Sequence, residues 1–62
     1  MSDVAMIVDD VVEDLTTNFE VNKMDEEQIL FICKIWLEMH DSALSSRVLL
    51  HEVKKVLAEK AA

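Results

Sequence analysis

Three observations predict an all-α protein, a small three-helix unit over about residues 3–18, 26–40 and 43–59. The chain has 62 residues and neither glycine nor proline, where average usage of about 7% Gly and about 5% Pro would supply several of each. The usual hairpin turns and helix terminators are therefore missing. Apolar residues recur three and four positions apart, and strict alternation with polar residues never persists. Two polar stretches, TTNFEVNK (16–23) and HDSALSS (40–46), interrupt that pattern with Asn, Asp and Ser, which turn a chain at low cost. Residues 1–62 read as one helical domain.

The first helix is expected to begin after Ser2 as N-cap and to end near Thr17 or Phe19. Val4, Ile7, Val8, Val11, Val12, Leu15 and Phe19 fall on an arc of about 140°, one core-facing stripe. Asp3, Asp9, Asp10, Glu13 and Asp14 fill the opposite arc, broken only by Met6.

The second helix opens on MDEEQI (24–29). Asp25 as N-cap places Gln28 at the third helical position, a capping box, and Met24 and Ile29 take the positions of a hydrophobic staple. Glu26 and Glu27 suit the positive end of the helix dipole. The body of this helix, QILFICKIWLEMH (28–40), is apolar over an arc of about 260°, leaving only the stripe of Glu27, Lys34, Glu38 and Asp41 polar. Ile29, Leu30, Cys33, Trp36, Leu37 and His40 form one side. Phe31, Ile35 and Met39, spaced by four, form a ridge on the far side, and Ile32 joins the two. A helix in a three-helix unit needs only one of those sides.

Ser42 or Ser45 is expected to cap the third helix, whose core stripe is Leu49, Leu50, Val53, Val56 and Leu57. Arg47, His51, Lys54 and Lys55 cluster on its other side within about 100° of arc, and Leu44 and Val48 add a small apolar patch at its start.

A chain this short buries only about 60% of the surface that its unfolded form exposes. Disulfide, metal or oligomer usually makes up the shortfall. Cys33 is the single cysteine, so no disulfide forms within the chain. The acidic start MSDVAMIVDDVVED lacks the basic region of a signal peptide, and no apolar run approaches the roughly 18 residues of a membrane span. A cytoplasmic location is expected.

The net charge of −7 is unevenly placed: nine of the thirteen acids lie in residues 1–27, against one base, Lys23. Such a chain repels nucleic acid and anionic membranes, and its acidic end attracts basic partners.

Four constellations are candidates for function. The Phe31, Ile32, Ile35, Met39 ridge reads as a self-association or target interface, since a contiguous apolar patch is unusual on a monomer. A two-fold dimer, in which the patch meets itself, is the expected form. Asp9, Asp10, Glu13 and Asp14 read as a face for a basic protein partner, or as a solvated surface. Arg47, His51, Lys54 and Lys55 could together hold a small anion or nucleotide across an oligomer, though no Gly-rich loop cradles phosphate. Cys33 and His40 share a face but stand seven residues apart, roughly 10.5 Å along a helix, too far to close on one ion.

No catalytic, metal or cofactor site is expected, and Cys33 reads as a small buried hydrophobe. The chain is therefore expected to be a non-catalytic protein that binds and modulates another macromolecule. Alternatives are an oligomeric binder of anionic ligands and a structural subunit of a larger assembly.

Overall fold

The computed structural model describes residues 4–61. Helix α1 spans Val4–Asn18, a 3₁₀ turn covers Val21–Lys23, α2 spans Glu26–Met39 and α3 spans Ser46–Ala61. All three pairs of helices pack against one another. Ser2, expected as the first N-cap, and Asp3, expected on the acidic face, lie outside the described residues.

The predicted stripes form the core. Ile7, Val8, Val11, Val12 and Leu15 of α1 meet Ile29, Cys33 and Leu37 of α2 and Leu49, Leu50 and Val53 of α3. Burial of each such side chain is worth roughly 1.5–3 kcal/mol. That explains how α1 stays helical despite four valines and an isoleucine, whose helix propensity is modest. Val56 and Leu57 are half-buried at the edge.

Phe19 departs from its stripe. It lies one residue beyond the end of α1, where the chain bends away, and is 41% exposed.

Both ends of α2 are built as local chemistry demands. Asp25 Oδ1 accepts from the Gln28 amide at 2.9 Å, and Gln28 Oε1 accepts from the Asp25 amide at 3.0 Å, completing the predicted capping box. At the far end Asp41 takes φ 52°, the left-handed conformation that glycine usually supplies. Its amide donates to Glu38 O at 3.0 Å and the Ser42 amide donates to Leu37 O at 2.9 Å, a Schellman closure without glycine.

Helix α3 begins at Ser46, three residues later than expected. Ser45 Oγ accepts from the Arg47 amide at 3.3 Å, so Ser45 is the cap. Ser42 Oγ accepts from the Leu44 amide at 3.1 Å and instead shapes the connection. Leu44, expected at the start of the helix, packs from that connection onto the core.

The Cα radius of gyration is 10.7 Å, close to the roughly 10.6 Å expected of a globule this long. The core closes without the far side of α2.

Candidate functional site

Phe31, Ile35 and Met39 stand 62%, 38% and 67% exposed on the outer face of α2. Ile32 and Trp36, one step round the helix toward α1, are half-buried and packed against the core. The result is an apolar strip along α2 with charged borders on both sides.

On one border the helical step places Glu27, Lys34 and Glu38 beside the ridge, all exposed. The opposite border is supplied by α1. Trp36 Nε1 donates to Asp14 Oδ2 at 3.0 Å, and His40 Nε2 lies 2.9 Å from Asp10 Oδ2. An ionised carboxylate has no proton to give, so in that pair the hydrogen sits on Nε2. The Trp36 and His40 rings themselves lie 6.0 Å apart, tilted by 35°. Pairing residue 10 with 40 and 14 with 36 shows that α1 and α2 run antiparallel.

These bonds divide the acidic face expected from the sequence. Asp10 and Asp14 are half-buried and face α2, whereas Asp9 and Glu13 project into solvent. The other oxygen of Asp14, Oδ1, accepts from Asn18 Nδ2 at 2.7 Å. Asp10, Glu13, Asp14, Thr17, Asn18 and Trp36 together line a shallow depression beside the apolar strip.

At the Phe31 end the strip opens into a groove of about 480 Å³. Phe19, Met24, Phe31 and Ile32 form its apolar walls, with Asp25, Glu27 and Gln28 at the rim. Asp25 and Gln28 are engaged in the capping box. Glu27 has no hydrogen-bond or ion-pair partner among the described residues.

Sequence reasoning missed two features of this surface. Phe19 was assigned to the core because its spacing continued the α1 stripe, and only the helix end at Asn18 turns it outward. The Asp10–His40 and Asp14–Trp36 bonds have a partial signal in the sequence. Two acceptors spaced by four on one helix match two N–H donors spaced by four on an antiparallel neighbour.

The basic cluster is on α3 as expected, with Arg47, His51, Lys54 and Lys55 all exposed. Two of its members already face acids. Lys54 Nζ lies 2.6 Å from Glu26 Oε2, and Lys55 Nζ lies 3.8 Å from Glu52 Oε1. The Lys54 ammonium, by hydrogen bond and by charge, holds the Glu26 carboxyl below its ordinary range, with a smaller pull from Arg47. Cys33 is a free, buried thiol whose pKa is pushed up to about 11 by desolvation.

Among the described residues no group of three His, Cys, Asp or Glu side chains is placed to hold a metal ion. No described helix is long and apolar enough to cross a membrane. The fold and this surface define a small three-helix protein with an apolar strip between carboxylate borders. Comparison with protein-family models, with curated proteins and with solved structures finds no match.

Proposed function

We propose that this chain is a non-catalytic, cytoplasmic interaction protein that binds and modulates another protein, one with a basic surface. One observation carries the reading. The apolar ridge of Phe31, Ile35 and Met39 is exposed between carboxylates on both sides, Glu27 and Glu38 on one and Asp10, Glu13 and Asp14 on the other. Apolar contact supplies affinity on such a surface, and the charged borders select partners and speed encounter. Asp9, exposed beyond Glu13, extends the acidic border outward.

Self-association is the second reading, favoured by the placing of Lys34 and Glu38. In an antiparallel pairing of two α2 helices about Ile35, Phe31 of one copy meets Met39 of the other, and Lys34 meets Glu38. Charge weighs against it, because five bordering carboxylates per copy would face their own kind with Lys34 alone to offset them. Among the described residues, only Arg47 and His51 of the anion-binding alternative have no acidic neighbour within ion-pair distance, which leaves it weaker.

A photo-crosslinker at position 35 tests the reading in the cell of origin. A basic protein should be trapped there, and should be lost both on Phe31→Glu and on the double change Asp9→Asn, Glu13→Gln. Those three side chains are exposed, so the fold survives their replacement. A partner retained by both variants, or an acidic one, would overturn the proposal.

A further inference from the structure

Resting on that reading, we infer that the partner presents an amphipathic α-helix with basic flanks, and that one large apolar side chain of it is anchored between Phe19, Met24, Phe31 and Ile32.

Three features support a helix rather than a loop or sheet edge. The exposed ridge is one side chain wide, because Phe31, Ile35 and Met39 form a single i+4 row on one helix, inclined to its axis by about 40° of turn per step. Such an i±4 row packs into the matching groove of another helix. Polar residues border it on both sides, so a helix seated on the ridge would carry its own flanking residues over carboxylates.

Charge chooses the occupant. The borders hold Glu27 and Glu38 on one side and Asp10, Glu13 and Asp14 on the other, with Lys34 as the one cation between them. A second copy of the chain would bring the same carboxylates to meet these. Lysine or arginine flanks meet them with opposite charge.

The groove supplies the anchor. Its volume, about 480 Å³, exceeds one large side chain, its walls are apolar, and it lies at one end of the ridge. Binding energy in helix-in-groove recognition concentrates at such pockets. Glu27 at the rim is free among the described residues to meet a base next to the anchor.

The test uses three synthetic peptides of about 18 residues, roughly 27 Å long when helical, matched to the 30 Å long dimension of the protein. The first carries leucines at i, i+3, i+4, i+7 with lysine flanks, the second the same leucines with glutamate flanks, and the third the first composition scrambled. Trp36, on the border of the strip, reports binding by its fluorescence, and calorimetry gives the affinity.

The lysine-flanked peptide should bind, while the other two should not. Phe31→Ala should weaken it about 30-fold, the effect of a central anchor, and Met39→Ala, outside the groove, about threefold or less. Val48→Ala, an exposed apolar change on α3, should do nothing.

Equal binding by the scrambled peptide would overturn the helix and leave charge attraction, as the broader reading allows. Equal binding by the glutamate-flanked peptide would overturn the basic flanks. Equal losses at Phe31 and Met39 would overturn the anchor. A chain that is already paired with itself at micromolar concentration would place a second copy on the strip and overturn the inference outright.

Discussion

Asp14 joins two helices through one carboxylate: Oδ2 accepts from Trp36 on α2 while Oδ1 accepts from Asn18 on its own helix. A hydrogen bond to a charged acceptor is worth about 1.5–3 kcal/mol when shielded and less at a wet edge. Trp36→Phe keeps most of the apolar contact and removes only the donor. It should cost about 1 kcal/mol in urea denaturation. A double-mutant cycle with Asp14→Ala should return a coupling of similar size, and zero coupling would show that the bond contributes nothing.

Cys33 poses the opposite case, a reactive group made inert. Its thiol pKa is raised to about 11 by burial, and the thiolate is the nucleophile. Alkylation by iodoacetamide at pH 8 should be negligible in the native protein and rapid in urea. Fast labelling of the folded chain would mean that α2 opens far more readily than its packing implies. The identity of Cys33 as a core residue was legible from its position on the Ile29 and Leu37 face. The bonds of Asp10 and Asp14 were legible only in part: acceptors and donors spaced by four match on the two helices, but a single helical wheel does not say which helix lies beside α1.

At the scale of elements, α2 is the best determined because both of its ends are chemically specified. The capping box could be read directly from MDEEQI, since both of its bonds are local to four residues. The start of α3 could not. Ser42 and Ser45 are both acceptable caps, and only the Schellman closure at Asp41, which takes up the Ser42 amide, leaves the role to Ser45.

Asp41 tolerates φ 52° better than most residues, whereas a β-branched side chain does not. Asp41→Val should therefore destabilise the protein by about 2 kcal/mol, while Asp41→Gly should lose nothing. Thermal melts of the two variants separate backbone strain from loss of the carboxylate, which both remove.

Among the described residues one ion pair ties α2 to α3, Glu26 with Lys54, and it acts at the acid end of the pH range. Its carboxyl pKa is depressed in the folded state, from an ordinary value of 4.5. The contribution is thus complete above that ordinary value and is lost as pH falls through the lower folded one. Glu26→Gln should flatten the acid limb of the stability profile below about pH 4.5 and leave it unchanged at pH 7 apart from a constant offset, which is small because the pair is exposed.

For the whole molecule, self-association and the binding of a basic helix respond to salt in opposite directions, and that separates the two occupants of the strip. The chain carries a net charge of −7, and carboxylates border its exposed ridge on both sides. In dilute buffer, like charge keeps copies apart over a Debye length of about 10 Å at 0.1 M ionic strength. Raising salt toward 1 M shortens that length to about 3 Å and leaves the apolar attraction between ridges intact or stronger.

The chain should therefore sediment as a monomer at low ionic strength, with a melting temperature independent of concentration, and begin to self-associate in molar sulfate. Phe31→Glu should abolish that association and leave the low-salt melt unchanged, since Phe31 is largely exposed and outside the core. Binding of a lysine-flanked helix should weaken over the same salt range. A dimer that is tightest in dilute buffer would require attractive pairing such as Lys34 with Glu38 to outweigh the bordering acids. The ridge would then be the staple of a fold too small to stand alone, and its target would have to be sought on the α1 border.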